Sequence, residues 1–357
     1  MPRPQPNRVV AKLSDTIPFV APEELERQLG KPFLARLGAN ESVFGASPKA
    51  IAAMAEAAQE AQWYGDPISF DLRTELAKRF GTSIDHFVVG PGIDGLFAHI
   101  ASAFWEPKKK IVTTLGSYPT FNYFVESVGA ELIQVPYYEN AVDLVGLANA
   151  ALEHRANAVY VANPDNPSGH FHGVEEIRML LEIVPDSTLV ILDEAYIDFV
   201  EPYDISDPRL IRLRTFSKAY GMAGARVAFA FGEPETVRPL NRIRAHFEVN
   251  RMAQAGAMAS LADDEFLNEV KRKTNEGRTA LRGILEENGF ASLDSSTNFV
   301  LGDAGSRERA EAIVAKLRDH QVFIRKPGQP PLDGFIRVTV GTEKDHEVFA
   351  DALRQCR

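Results

Sequence analysis

Cysteine is all but missing from this chain: Cys356 is the one thiol in 357 residues. That excludes an intrachain disulfide and a cysteine-built zinc cluster, and it makes a reducing compartment, the cytoplasm, the expectation. Long hydrophobic runs are missing too, so no segment reads as a membrane span. The start, Met1-Pro-Arg-Pro-Gln-Pro6, is broken by proline, lacks the apolar core of a signal peptide, and reads as a flexible arm. Positive charge is in deficit: 39 Lys and Arg against 49 Asp and Glu leave a net charge of −10, which favours solubility and argues against nucleic-acid binding. The run Lys108-Lys-Lys110 is short and reads as a solvated loop. No internal repeat and no low-complexity tract is present. His170 and His172 flank Phe171 and read as turn histidines, so no metal is expected.

What is present is enough apolar residue, 45% of the chain, to bury a large core in two lobes. From about Ser47 to Asn250, helical stretches at 50–62, 72–80 and 174–183 alternate with short apolar strands at 159–161 and 189–192. That alternation predicts an α/β fold with a mostly parallel sheet covered on both faces. After Arg251 the pattern changes. A long helix at 264–288 leads into strands at 298–302, 322–324 and 335–340, with helices at 306–320 and 344–354. The expected division is an arm over 1–35, a large domain over 36–250 and a smaller α/β domain over 251–357, joined by part of the N-terminal segment.

The chemistry concentrates at strand ends. Thr215-Phe-Ser-Lys218 is followed by glycines and by Arg226. A lysine here can bond to an aldehyde, while Thr215, Ser217 and Arg226 can hold a phosphate. One small ligand carries both groups, pyridoxal phosphate, for which a lysine Schiff base is the expected anchor. Upstream, the strand Leu189-Val-Ile-Leu192 runs into Asp193, where open α/β sheets bind ligands. A carboxylate there can keep the ligand's ring nitrogen protonated, and Tyr196 can donate to its phenolic oxygen. Asn166, in Asn163-Pro-Asp-Asn-Pro-Ser-Gly169, can reach the same oxygen. The turn Gly90-Pro-Gly-Ile-Asp-Gly95 offers the amides of Gly92, Ile93 and Asp94 to an anion at a helix start. Tyr118 can stack on a flat ring. Taken singly, each has an ordinary reading: a surface turn, a capping acid, a rigid Asn-Pro loop, a core tyrosine.

Together and in this order, these motifs resemble the fold-type I pyridoxal-phosphate enzymes, specifically the class I/II aminotransferase group that includes histidinol-phosphate aminotransferase. The resemblance runs from Ala39-Asn-Glu41 through Tyr64-Gly-Asp-Pro67 and the motifs above to Arg337-Val-Thr-Val-Gly341. It implies that Lys218 anchors the cofactor and shuttles a proton, that Asp193 meets the ring nitrogen, and that Tyr196 and Asn166 meet the phenolic oxygen. It also implies a homodimer, with Tyr64 reaching the phosphate of the neighbouring subunit. Arg337 would grip an acidic group of the substrate, with Asn40, Arg251 and Arg325 as further substrate contacts. The implied activity moves an amino group between a small-molecule donor and an oxo-acid acceptor such as 2-oxoglutarate.

The chain departs from the group in places. Asn40-Glu-Ser-Val-Phe-Gly45 carries Phe44 where the group's run has tyrosine, the phosphate turn reads Ile93-Asp94-Gly95, and Arg251 interrupts Phe247-Glu-Val-Asn-Arg-Met-Ala-Gln254. These changes bear on the substrate rather than on the cofactor. Histidinol phosphate, an aromatic amino acid or another amine with an acidic group all fit Arg337. A decarboxylase of the threonine-phosphate type and a noncatalytic cofactor-binding protein remain as alternatives.

Overall fold

The computed structural model describes residues 3–14 and 20–356. Of the expected arm, residues 1, 2 and 15–19 lie outside the described residues, as does Arg357 at the end of the expected second domain. The main sheet has seven strands in the spatial order 87–90, 228–231, 210–215, 189–193, 158–162, 110–114, 131–135. All neighbours run parallel except Ala228–Phe231, which is antiparallel to both Phe87–Gly90 and Leu210–Thr215. The central strands Ala158–Ala162 and Leu189–Asp193 are short, fully buried and apolar up to Asp193, because both faces are covered. Ala158, Tyr160 and Ala162 pack into one core with Leu96, Phe97 and Phe121, while Val159 and Val161 face a second core with Leu147, Leu180 and Leu192. The helix Val174–Ile183 lies where its periodicity predicts.

The second lobe is built on the antiparallel strands Phe299–Asp303 and Phe335–Thr339, flanked by Ala291–Ser292. Its core joins Leu281 and Leu285 of the long helix Asp264–Glu287 to Val300, Val338 and Phe349, and it also takes in Ala35 and Leu37. The N-terminal segment is thus part of this lobe. Ala35–Arg36 pairs in parallel with Val322–Phe323, and the helix Pro22–Leu29 precedes it. The expected boundary at 250/251 falls one helix too early. Arg251–Leu261 packs through Ala253, Ala257 and Leu261 into a core with Ala50, Leu72 and Phe229 of the large lobe. Its small residues explain this, because a Cβ added at Gly256 would lie 2.7 Å from Met54 Cγ, so the helix sits close against Pro48–Ala58. No described helix is long and apolar enough to cross a membrane.

Candidate active site

The carboxyl ends of the parallel strands open into a cavity of about 740 Å³, walled on the far side by residues of the smaller lobe. Asp94, Tyr118, Asn166, Asp193, Lys218 and Arg337 all line it. Lys218 stands just past the strand Leu210–Thr215, in a tight turn where Gly221 N donates to the Lys218 carbonyl at 3.0 Å. A Cβ on Gly221 would lie 1.9 Å from the Gly45 oxygen, and φ there is +67°, so only glycine lets the lysine turn press against the N-terminal segment. Burial pushes the Lys218 amine down to about 8. Arg337 adds to the shift, and Glu41 and Asp94 oppose it.

Asp193 ends its strand with both carboxylate oxygens engaged. Tyr160 donates its hydroxyl to Oδ2 at 2.8 Å, and Ala195 N donates to Oδ1 at 3.0 Å. Burial nonetheless pushes Asp193 up to about 7. Its neighbour Glu194 behaves in the opposite way. Burial would raise it too, but the guanidinium groups of Arg214 and Arg212, bonded to it at 2.8 and 2.9 Å, hold it below the usual carboxylate range. Asp193 is therefore a carboxylate set up to meet a cation, and none of the described residues pairs with it as one.

Tyr196 is buried beside it, and burial pushes its hydroxyl up to about 12. Asn40 donates from Nδ2 to the Tyr196 oxygen at 2.9 Å and accepts from Thr339 Oγ1 at 2.9 Å. Expected as a substrate contact, Asn40 spends its side chain on orienting Tyr196, although it lines the cavity. Asn166 faces it from the other loop, where its Oδ1 accepts from Arg337 Nη1, and Arg337 Nη2 donates to the Gly38 carbonyl at 3.0 Å.

At the other end of the cavity the helix Gly92–Phe104 begins. Gly92 has φ +83°, and a Cβ there would lie 2.2 Å from Arg226 Nη2, so the guanidinium rests directly on the helix start. Thr215 Oγ1 donates to Ser217 Oγ at 2.9 Å and accepts from Ser217 N at 3.0 Å. Asp94 takes the Tyr118 hydroxyl at 3.1 Å and stands 3.4 Å from Arg226. Antiparallel pairing of Thr215 with Ala228 brings Lys218 and Arg226 to the same sheet end, on one connection.

These residues fit pyridoxal phosphate. A buried acid lacking a cation stands at one end, an amine of lowered pKa lies between, and amides, hydroxyls and a guanidinium converge at the other, at a glycine with no room for a side chain. Tyr64, expected at the neighbouring subunit's site, is 77% exposed and stacks on Phe247 at 4.6 Å, away from this cavity. One expected residue is not brought in. Arg251, expected as a substrate contact, bonds instead to Glu60 at 2.7 Å and to the Tyr64 carbonyl at 3.1 Å. The cause is local: Asn250 caps the helix by accepting from Ala253 N, and that start lies against Tyr64–Asp66. Arg325 does line the cavity, bridged backbone to backbone with Arg337. Of the two turn histidines, His172 is built into the fold, with Nε2 on the Val142 carbonyl and Nδ1 on Glu176, both at 2.9 Å. Tyr160 escaped the sequence reading because its contact with Asp193 depends on the register of two strands.

The family model for aminotransferase class I and II matches residues 34–353. The chain is similar to the histidinol-phosphate aminotransferase of Symbiobacterium thermophilum, with 36% identity over 351 residues, covering 97% of this chain and 96% of the relative. It is also similar to histidinol-phosphate aminotransferase 2 of Carboxydothermus hydrogenoformans, with 33% identity over 357 residues, covering 97% and 98%. In three dimensions it resembles the crystal structure of histidinol-phosphate aminotransferase from Sinorhizobium meliloti in complex with pyridoxal-5'-phosphate. There the TM-score is 0.94 and the identity 41%, over 98% of this chain and 96% of that one.

Proposed function

The chain belongs to the aminotransferase class I and II family and is a pyridoxal-phosphate-dependent transaminase; from that premise we propose that its amino donor is histidinol phosphate and its acceptor a 2-oxo acid such as 2-oxoglutarate. The observation that carries this reading is the pair of arginines on the cavity wall. Arg325 and Arg337 stand side by side, and burial pulls Arg337 down to about 10. Its Nε is buried without a hydrogen-bond partner. Two adjacent guanidinium groups that repel one another are relieved by a doubly charged anion, which a phosphate supplies, and Arg337 alone suits a single carboxylate. The names of the relatives support the same donor.

Pyridoxal phosphate, when bound, supplies an electron sink for the substrate carbon that loses its proton. In this reading the chain's own residues divide the work. Lys218 Nζ, with its lowered pKa, takes and returns that proton near neutral pH. Asp193 would hold a proton on the ring nitrogen, and Tyr196 and Asn166 would donate to the phenolic oxygen. Arg226, Thr215, Ser217 and the amides of Ile93 and Asp94 would hold the phosphate, and Tyr118 would stack on the ring. Tyr64, exposed on this chain, serves the neighbouring subunit of a homodimer.

The test is a donor panel. The loaded protein with 2-oxoglutarate is given histidinol phosphate, phenylalanine or threonine phosphate, and the glutamate and carbon dioxide formed are measured. Glutamate formed preferentially from histidinol phosphate is the expected result. Preference for phenylalanine would refute the substrate, and carbon dioxide release would refute amino transfer. Lys218→Ala should abolish turnover while the protein remains folded.

A further inference from the structure

A carboxylate with no part in the amino transfer sits behind the cavity wall. Asp165 is 1% exposed. Its Oδ2 accepts from Ser168 Oγ at 2.7 Å, Tyr137 Oη at 2.9 Å and Ser168 N at 3.0 Å, and its Oδ1 accepts from Ser117 Oγ at 3.3 Å. Ser168 Oγ itself accepts from His170 N at 3.2 Å while donating to Asp165. Ser168 N can only donate, and the three hydroxyls are oriented as donors, which suits the acceptor-only carboxylate. Burial raises the Asp165 pKa, and these same donors pull against the rise.

The donors come from three different strand ends. Ser117 follows Lys110–Thr114, Tyr137 follows Glu131–Val135, and Asp165 with Ser168 follows Ala158–Ala162. These strands are neighbours in the sheet. One side chain therefore ties three loops together at the lip of the cavity. Two of those loops carry groups given contacts with the ring above, Tyr118 at its face and Asn166 at its phenolic oxygen, because Tyr118 directly follows Ser117 and Asn166 directly follows Asp165. A fully satisfied buried network of this kind fixes a single arrangement where a looser contact would leave several. We propose that Asp165 is a positioning residue that sets the gap between Tyr118 and Asn166, and so the seat of the cofactor ring, by locking these three strand ends together.

This inference rests on the roles given to Tyr118 and Asn166 above. Its test compares Asp165→Asn and Asp165→Ala in the loaded protein by visible circular dichroism of the bound cofactor, cofactor affinity, and kcat against KM. Asparagine can keep the Tyr137 and Ser168 bonds through its carbonyl and donate to Ser117 from its NH2. It should preserve the spectrum and keep kcat within about threefold. Alanine should change the circular dichroism and lower kcat by about tenfold or more with little change in KM, as expected for misplacement rather than lost binding. An alanine variant with parental spectrum and kcat would overturn the proposal. So would an asparagine variant as impaired as the alanine one, because the charge and not the tie would then matter. Should Asp165→Ala fail to fold, Ser117→Ala and Tyr137→Phe each cut one arm, and parental spectra in both would overturn it. Tyr118→Ala probes the site itself: an unchanged spectrum there removes the reading on which the tie depends, whatever Asp165 does.

Discussion

At the scale of single residues, two ionisations near neutral pH make the site testable before any substrate is added. Lys218 is pushed down to about 8. Capture of the cofactor aldehyde by the unloaded protein should therefore quicken as pH rises from 6 to 9 and level off above about 8, because the neutral amine is the nucleophile. Absorbance-monitored uptake at several pH values checks this, and a flat profile contradicts it. Asp193 is raised from an ordinary 3.8 to about 7. The folded chain then keeps a proton that the unfolded chain has released, so stability without cofactor falls as pH rises through that window. The cost is on the order of 4 kcal/mol above pH 7. Asp193→Asn can keep both hydrogen bonds by accepting from Ala195 N and donating to the Tyr160 oxygen. Its unloaded form should melt higher than the unloaded parent at pH 8, with the gap closing toward pH 5, while its turnover drops by about two orders of magnitude. Equal melting temperatures at pH 8 would show that the carboxylate carries no such penalty.

At the scale of elements, the turn after Lys218 is the most constrained piece of backbone in the site. Gly221→Ala places a methyl into the Gly45 carbonyl at a positive φ. The left-handed conformation alone costs about 1–2 kcal/mol, and backbone on the other side leaves no room to yield. This variant should show a lower melting temperature and poor cofactor retention together; retention at the parental level would mean the two segments can separate freely. The elements themselves were largely legible. Val174–Ile183 and the long helix from Asp264 announce themselves by periodicity, and the loops after Leu192 and Thr215 announce themselves by polar residues at the ends of apolar runs. What escaped was pairing across distance. Tyr160 meets Asp193 because Ala162 lies beside Asp193 in the sheet, and no local pattern encodes that register. Arg251 read as a substrate contact because its partners Glu60 and Tyr64 are remote in sequence. The domain boundary slipped because an alanine-rich helix does not declare which core it joins.

At the scale of the whole molecule, the large lobe exposes Trp63, Tyr64, Ile68 and Phe70 near one another in sequence. In the homodimer proposed above, a second copy covers these side chains and Tyr64 serves the other cavity. The double variant Ile68→Asp, Phe70→Asp should run as a monomer by light scattering and bind pyridoxal phosphate roughly tenfold more weakly, having lost a phosphate contact of about 1.4 kcal/mol. A monomer with parental affinity would leave Tyr64 without that role.

The connection from Thr215 to Ala228 has a consequence of a different kind. It carries Lys218 and Arg226, the covalent and phosphate anchors of the reading proposed above, on one short span whose two ends are stitched into adjacent strands. It is in effect a ruler cut to the length of one ligand, and pyridoxal lacking its phosphate should be measured and found short. Arg325 and Arg337, proposed above to meet the substrate, belong to the other lobe. The two halves of the task are thus kept on separate pieces of the protein, and the preferred amine can drift through changes around Arg325 and Arg337 while the ruler stays calibrated.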